Sequence, residues 1–264
     1  MKNNKLLALT VLATALSTSV ALADSTPSAL TEAQQKEVET IIHDYLAHKH
    51  PEVLIEASQT LQSQQQAKLQ EQAKSAIAEH GNALVNGTVT IAGNPKGNVT
   101  LVEFFDYQCS HCIKMKPVVN ELIKKNNNLR VVFKEFPIFG KESEMASRAA
   151  IVAGMQGKYM KFQNALFKAE KHLDEEAIMA VAKKVGLNMK TLKTEMQSPQ
   201  VTAVLEESRK LAEAIHLMGT PAFVLLATPE GQFKAGSKTI FIPGASSEET
   251  LQEFITKLAK QEKK

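Results

Sequence analysis

The sequence predicts an α/β fold with a helical segment in front of it, and three observations support this prediction. A strand, a helix and a second strand follow one another over residues 99–136, which is the order of a right-handed parallel crossover. A helical insertion over about residues 141–217 then separates this unit from two more strands and a last helix. Residues 28–79 contain no Gly and are rich in Gln, Ala, Glu and Lys, a composition that favours helices.

The first 23 residues predict a secretory signal peptide. Lys2 and Lys5 precede an almost wholly apolar or small run over residues 6–20, and residues 21–23 have the small-x-small pattern of cleavage after Ala23. The apolar run is shorter than the roughly 20 residues that span a bilayer, so a signal peptide is favoured over a membrane anchor.

Charge and composition narrow the range of partners and compartments. Cleavage of the signal would remove two lysines and no acid, so the formal net charge would fall from +3 to +1. A near-neutral protein offers no electrostatic argument for nucleic acid as a partner. We therefore expect a protein that is exported to the periplasm, an oxidising compartment, and that binds no nucleic acid.

Residues 24–82 are predicted to be a helical dimerisation region. An apolar stripe predicts a first helix over residues 31–48, and Pro51 suits the first turn of a second helix that Gly81 should end. The apolar stripe of the second helix is thin, and two such helices cannot enclose a core of their own. Such helices are usually stabilised by packing on another molecule, so we expect a homodimer through about residues 28–80. Packing on the main domain is the alternative.

Residues 83–264 are predicted to form the main domain. Residues 85–91 predict a first strand, and Val99–Phe105 predicts a central strand because it is a continuous β-prone run. A helix should follow from the cysteines to about Lys125, with a parallel strand at residues 129–136. The remaining predicted elements are the helical insertion at 141–217, strands at 223–227 and 239–242, and a helix at 247–260.

The chain's two cysteines, Cys109 and Cys112, lie at the predicted strand-to-helix junction. A bond between them would close a very short loop and remove little entropy from the unfolded chain, so it is a poor structural staple. The N-terminus of a helix favours a thiolate on Cys109, while Cys112 is shielded one turn inside. We expect Cys109 to be the exposed attacking sulfur and Cys112 to resolve the mixed disulfide.

Other uses of the cysteine pair fit the sequence less well. A structural zinc site needs four ligands, and the chain has no second Cys-x-x-Cys pair. Covalent haem attachment requires His directly after the second cysteine, where Ile113 stands. We expect neither a metal nor a cofactor.

Three residues near the cysteines are predicted to support redox chemistry. His111 lies between them, and its imidazolium would stabilise the Cys109 anion. Glu103 stands among apolar residues of the central strand. Because burying a carboxylate costs free energy, a buried Glu103 is expected to have a function, such as relaying a proton to or from Cys112. Lys134, in the next strand, is a candidate partner for Glu103. The alternatives are a solvent-facing Glu103 and an exposed edge lysine.

A proline precedes the strand predicted at residues 223–227. Pro221 in Gly219-Thr220-Pro221 is compatible with a cis peptide bond. Such a bond would leave the Thr220 backbone open to a client chain beside the disulfide.

These motifs together resemble the DsbA-like thioredoxin family over about residues 85–262. The resemblance rests on four segments: Phe104-Phe105, Cys109-Ser110-His111-Cys112, Lys134-Glu135-Phe136-Pro137 and Gly219-Thr220-Pro221. It implies a thioredoxin-like fold with a helical insertion, in which Pro221 is the cis-proline and Glu103 the buried acid. Ser110 stands where the best-known oxidases have Pro, and it is expected to contact the client with Thr220 and Pro221.

The N-terminal region is similar to that of Com1-like and dimeric DsbA-type proteins, which again implies a homodimer. The function implied is a periplasmic thiol:disulfide interchange protein that forms or isomerises disulfides. Its partners would be exported client proteins with cysteines and a membrane redox partner. A monomeric dithiol oxidase, or a copper-handling or holdase protein that uses the same cysteines, are the alternatives.

Overall fold

The computed structural model describes residues 30–87, 89–169 and 173–260. The predicted signal peptide lies outside these ranges. The chain divides into two compact units, with the boundary between Thr60 and Leu61. None of the helices in the described ranges is long and apolar enough to cross a membrane.

The first helix of the described residues is α1 (Glu32–Asp44). Thr31 caps it through a reciprocal pair of hydrogen bonds with Gln34, in which each side chain accepts from the other residue's backbone N–H. A π-helical turn, Tyr45–Lys49, follows directly, and helix α2 (Glu52–Val85) begins after Pro51. The predicted first helix is confirmed, and the π-helical turn at its end was not predicted.

Helix α2 continues through Gly81, so the prediction that Gly81 ends it is wrong. Gly81 is buried, and a Cβ atom at this position would lie 2.4 Å from the ring of Phe233. The glycine therefore serves close packing of that ring against the helix. The strand predicted at residues 85–91 is also wrong except at its last residue, because the helix extends to Val85 and β1 is the short strand Ile91–Gly93.

The second unit is built on one sheet with the strand order β1-β3-β2-β4-β5. The central strand β2 (Val99–Phe105) pairs in parallel with β3 (Leu129–Glu135) and antiparallel with β4 (Ala222–Ala227). Helix α3 (Ser110–Lys125) connects β2 to β3, which confirms the predicted crossover. β1 and β5 (Thr239–Ile242) pair antiparallel at the two edges.

The predicted helical insertion is also confirmed. It consists of α4 (Lys141–Met155), α5 (Tyr159–Leu166), α6 (Glu175–Lys184), α7 (Met189–Glu195) and α8 (Pro199–Ala214). A 3₁₀ turn, Pro229–Gly231, lies between β4 and β5, and α9 (Glu248–Lys260) ends the described chain.

Alternation along the strands divides the core between the two faces of the sheet. Leu101 and Phe105 belong to the larger cluster, which contains residues of α3 and the insertion. Val102 and Phe104 belong to the smaller cluster, with residues of α2 and the end of α8. Glu103, between Leu101 and Phe105 in this alternation, therefore faces the side of the sheet that carries α3.

Candidate active site

Both cysteines lie at the start of α3, directly beyond the end of β2. Cys109 is the N-cap residue, with extended backbone angles of φ −71° and ψ 116°, and Cys112 is in the first turn. The Cys109 Sγ atom donates a hydrogen bond to the carbonyl oxygen of Thr220 at 3.2 Å. Cys112 is fully buried, while Cys109 is 3% exposed, so the predicted attacking sulfur is more covered than expected.

The surroundings of Cys112 favour a neutral thiol. Burial raises the pKa of Cys112 well above its usual range, and the neighbouring Cys109 adds to this effect. The Asp106 backbone and the Thr220 hydroxyl act in the opposite sense on this pKa, but they do not outweigh burial. The predicted shielding of the second cysteine is therefore confirmed.

The Thr220–Pro221 peptide bond is cis, as the sequence suggested. Pro221 is buried, and the Thr220 carbonyl faces the Cys109 sulfur. The Thr220 Oγ1 atom is buried without a hydrogen bond of normal geometry to any described residue. Ser110 and His111 are both exposed on the first turn of α3, where an approaching chain can reach them.

Asp106 anchors the loop in front of Cys109, and sequence analysis missed it. Its Oδ1 atom accepts hydrogen bonds from the Gln108 N–H at 2.7 Å and the Ser143 hydroxyl at 2.8 Å. Its Oδ2 atom accepts from the backbone N–H groups of Ile138 and Phe139 at 2.7 and 3.1 Å. The carboxylate thus ties the cysteine loop to the loop after β3. An Asp directly after a strand, at the start of a turn, was the available signal.

Glu103 is 2% exposed, which confirms the prediction that it is buried. Burial raises its pKa, and the positive charge of Lys116 partly opposes this rise. Lys116 follows Cys112 by four residues and so lies on the same face of α3. Its amine donates to the Gln163 side-chain oxygen and lies 4.8 Å from the centre of the Phe133 ring. Sequence analysis missed Lys116 as well.

Lys134 does not pair with Glu103, so this prediction is wrong. In the parallel register Lys134 stands opposite Phe104, one position away from Glu103, and its side chain points to the other face of the sheet. Its Nζ atom donates to the carbonyl oxygens of Ala83 and Asn86 at 2.9 and 2.8 Å. Lys134 is also 5% exposed, which excludes the alternative of an exposed edge lysine. It binds the carbonyl groups at the C-terminal end of α2.

The fold and this site together define the structural class of the protein. A cysteine pair at the N-terminus of the helix that follows the central strand, faced by a cis-proline, is the arrangement of thioredoxin-fold redox proteins, and the predicted thioredoxin-like fold is confirmed. The DSBA-like thioredoxin domain family matches residues 100–256, more than half of the chain, and the chain belongs to this family. The copper resistance protein ScsC N-terminal domain matches residues 34–68.

Solved structures and curated sequences agree with this assignment. BcfH from Salmonella enterica Typhimurium has a TM-score of 0.70 and 32% identity, covering 86% of this chain and 96% of BcfH. Proteus mirabilis ScsC in a transitional conformation has a TM-score of 0.60 and 26% identity, covering 88% and 100%. The thiol:disulfide interchange protein DsbA of Burkholderia cepacia is 26% identical over 176 residues, which are 64% of this chain and 79% of that protein.

Other curated relatives are much longer. The match to a Na(+)/H(+) antiporter of Salinispora arenicola, NhaA 1, has 24% identity over 135 residues and covers 50% of this chain. This chain spans only 21% of the length of that antiporter.

Proposed function

We propose that this protein is a thiol–disulfide oxidoreductase that forms or rearranges disulfide bonds in exported proteins. The observation that carries the proposal is the asymmetry of the cysteine pair. Cys109 lies at a helix N-terminus against the Thr220 carbonyl, while Cys112 is buried and its pKa is raised. This asymmetry supports the assignment of client exchange to Cys109 and of its resolution to Cys112.

Oxidation of a client begins from the Cys109–Cys112 disulfide. A client thiolate attacks the Cys109 sulfur, the bond between the two cysteines breaks, and Cys112 leaves with the electron pair. Because the Cys112 thiol is strongly favoured over its thiolate, Cys112 takes up a proton, for which Glu103 is the proposed donor. A second client thiolate then attacks the client sulfur of the mixed disulfide and releases Cys109 as a thiolate. The client loses two electrons and the cysteine pair gains them.

Client binding is assigned to the surface around Cys109. The Thr220 backbone next to the cis-proline lies beside the exchanging sulfur, so it can pair with an extended client chain. Ser110 and His111 are exposed at the same place and face the client. The helix N-terminus, with a positive charge on His111 when that ring is protonated, stabilises the departing Cys109 thiolate.

Two single-residue variants test which cysteine exchanges with the client and which resolves the mixed disulfide. Cys112→Ser should accumulate a mixed disulfide between Cys109 and a client that carries a disulfide: the Cys109 thiolate attacks one client sulfur, the other client sulfur leaves as a thiolate, and Cys112 is no longer present to release the client. Cys109→Ser should trap no client, and the double variant should lose all disulfide formation with reduced ribonuclease. Non-reducing electrophoresis and recovery of ribonuclease activity are the measurements. If the double variant protects and matures clients as well as the natural protein does, redox catalysis is not the function.

Copper handling is a second candidate because the N-terminal helices match a copper resistance domain. In this case Cys109 and Cys112 would bind Cu(I) as soft thiolate ligands. Titration of the reduced protein with Cu(I) against a competing chelator tests the idea. Tight capture of one ion that prevents disulfide formation supports copper handling, and capture that is unchanged in the double serine variant contradicts it.

Measurements in cells test the compartment and the direction of the reaction. We propose a periplasmic location with signal cleavage after Ala23, which N-terminal sequencing of the exported protein tests. A membrane redox partner must restore the oxidised or reduced form after each turnover. Thiol trapping in cells reports the resting state: mainly oxidised Cys109–Cys112 indicates an oxidase, and mainly reduced cysteines indicate an isomerase.

We also propose self-association through the first helices, with the homodimer as the expected state. Helix α1 has no buried residue, although it carries an apolar stripe. Apolar side chains left exposed in a helical segment indicate an interface. The most exposed of them in the first unit, each more than half exposed, are Ile41, Ile42, Leu54 and Ile55.

Charged substitutions test this interface better than removal of residues 24–80 would. Ala73 and Ile77 of α2 are fully buried in the main unit, so a deletion that removes them would damage the fold itself. The double variant Ile41→Asp, Ile55→Asp should dissociate into monomers in light scattering and keep disulfide exchange. The control Gln64→Asp lies in α2 on an exposed polar position. If light scattering shows that the natural protein is a monomer, the proposal is wrong. A molar mass above that of two chains would keep the self-association but contradict the dimer.

A further inference from the structure

Two histidines lie side by side where helix α1 passes into the π-helical turn. His43 is in the last turn of α1, and His48 is inside the turn Tyr45–Lys49. Their ring centres are 5.7 Å apart, and the ring planes are inclined at 65°. Both side chains are exposed. Because imidazole nitrogen suits Zn²⁺ and Cu²⁺, two imidazoles at one accessible place are candidate metal ligands.

The π-helical winding brings the two rings together. On an α-helix, residues that are five positions apart lie about 140° apart around the axis, so they face different sides. Here the His50 N–H donates to the Tyr45 carbonyl oxygen at 2.7 Å, five residues back instead of four. The wider turn places His48 on the side of His43. Such turns are rare and are frequently found at functional sites, so a pair of metal-binding side chains across one of them indicates a use.

The separation of the rings fits a shared ion. Metal–nitrogen bonds of about 2.0–2.1 Å at a tetrahedral angle place the centres of two imidazole rings about 5 Å apart. The observed 5.7 Å between His43 and His48 exceeds this value by under about 1 Å. Because both side chains are exposed, small rotations about their side-chain bonds can close this gap. The backbone need not move for the two rings to reach one ion.

A carboxylate accompanies the two rings. Asp44 follows His43 in sequence, and its Oδ2 atom lies 2.9 Å from the Lys49 amine. The hydrogen bond and charge of Lys49 lower the pKa of Asp44, and charges on His48 and His43 act in the same direction. The ion pair also offsets the charge of Lys49, which would otherwise repel a cation beside His48. The local charge therefore does not oppose a bound cation.

The third histidine of this segment is engaged elsewhere. The His50 ring packs on Tyr45 with the ring centres 4.5 Å apart, and its Nδ1 atom lies 2.9 Å from Glu52 Oε1. Among the described residues, no three His, Cys, Asp or Glu side chains converge as a complete metal site. The chain would therefore supply two nitrogen ligands, and water would fill the remaining positions around the ion.

We propose that His43 and His48 together bind one divalent transition-metal ion of the kind that imidazole prefers, such as Zn²⁺ or Cu²⁺. The bound ion joins the last turn of α1 to the π-helical turn and so fixes the wider winding between them. The site uses neither Cys109 nor Cys112, so it is independent of the proposed disulfide exchange. It would correct the expectation, based on the sequence, that the chain binds no metal.

Competition with a chromophoric chelator measures Zn²⁺ binding by the full-length protein. The protein is made without a histidine tag, and Cys109 and Cys112 are oxidised to their disulfide so that no thiolate binds the ion. Loss of even an outer partner of a metal ligand costs about 10–100-fold in affinity, so His43→Gln and His48→Gln should each weaken binding by about tenfold or more. The double variant should lose little more than either single variant, because one imidazole alone cannot chelate. His50→Gln is the matched control and should bind as the natural protein does.

NMR of the natural protein protects the test against misfolding of the variants. The imidazole signals of His43 and His48 should shift together as Zn²⁺ is added, while those of His80 and His216 stay in place. If the natural protein binds no Zn²⁺, or both single variants bind it equally well, the inference is overturned. An equal loss of affinity in His50→Gln would also overturn it. Disulfide exchange with reduced ribonuclease tests the proposed function separately, whatever the zinc titration shows.

Discussion

At the scale of single residues, the side chain of Asp106 holds the loop in front of Cys109 in position. One carboxylate accepts four hydrogen bonds, three of them from backbone N–H groups in two different loops. Hydrogen bonds to a charged acceptor are about twice as strong as neutral ones. The position of Cys109 relative to the loop after β3 therefore depends on this side chain.

Asp106→Asn should destabilise the protein by about 2–4 kcal/mol. The amide has only one oxygen, and its NH₂ group would face backbone donors and leave them unpaired. Urea denaturation measures the loss, and the rate of disulfide exchange should fall with it. Asp174→Asn is the matched control, because Asp174 caps α6 and Asn is an equally good N-cap, so the change should stay within about 0.5 kcal/mol. Equal effects of the two substitutions would contradict the anchoring role.

Local pattern located some residues of the site and missed others for a physical reason. Cys109, Cys112 and Pro221 follow from spacing and from their place beside predicted elements. Lys116 has no such local pattern, and the place of Asp106 after a strand indicates only a turn, because Ile138, Phe139 and Ser143, which also bind it, come from other elements. The predicted pairing of Lys134 with Glu103 was wrong because the sequence of β3 does not reveal its register with β2. A shift of one residue in that register moves a side chain to the opposite face of the sheet.

At the scale of elements, the C-terminal end of α2 is held by β3. Lys134 donates to two carbonyl oxygens there, and Arg130 Nη1 donates to the Val85 carbonyl oxygen at 2.6 Å. Carbonyl groups at a helix end lack partners within the helix, and positive charges stabilise that end of the helix dipole. The two cations therefore fix α2 to the sheet on the face away from the cysteines.

Lys134→Met should lower the free energy of unfolding by about 1–3 kcal/mol, because it removes both hydrogen bonds to these partly buried carbonyl groups and the ion pair of Lys134 with Glu207 at 3.6 Å. The pH dependence of disulfide exchange should not change, since Lys134 faces away from Glu103. Lys125→Met is the control, because Lys125 pairs with Glu248 at the surface, where such pairs contribute little. A shifted pH profile in Lys134→Met would restore the discarded pairing with Glu103.

Gly81→Ala should also destabilise the protein, although alanine is the better helix former. The added Cβ atom would meet the Phe233 ring at 2.4 Å, and overpacking of this kind costs about 1–3 kcal/mol. Phe233→Ala should remove most of the additional loss, which a double-mutant cycle measures. Ser75→Ala, on the exposed side of α2, should change the stability by less than about 0.5 kcal/mol. Additive effects at Gly81 and Phe233 would contradict the contact.

At the scale of the whole molecule, chain order determined how much could be predicted. The sequence of strand, helix and strand was enough for the parallel crossover, because its handedness and order have few alternatives. Glycine at position 81 misled the prediction since tertiary packing overrides helix propensity. The placement of Glu103 and Lys116 on one side of the sheet depends on strand alternation and on α3 together, which no single segment of the sequence contains.

Two buried acids, Glu103 and Glu135 at the end of β3, make the stability of the whole molecule depend on pH. Glu135 has a pKa of about 8 in the folded state against 4.5 for an ordinary Glu, and the pKa of Glu103 is raised too. Between these values the folded protein keeps protons that the unfolded chain releases, so stability should fall as pH rises from 5 to 8. Each pKa unit corresponds to ~1.4 kcal/mol, so Glu135 should account for about 2–4 kcal/mol of this fall.

Urea denaturation at pH 5, 6.5 and 8, at one fixed protein concentration, measures this dependence. Glu135→Gln should flatten the curve and be more stable than the natural protein at pH 8, because it removes a carboxylate that must ionise in the interior. Glu121→Gln should run parallel to the natural protein, since Glu121 is exposed. Lys116 acts in the opposite sense at higher pH, because burial lowers its pKa, so the comparison ends at pH 8. Parallel curves for Glu135→Gln and the natural protein would show that Glu135 is not a buried acid with a raised pKa.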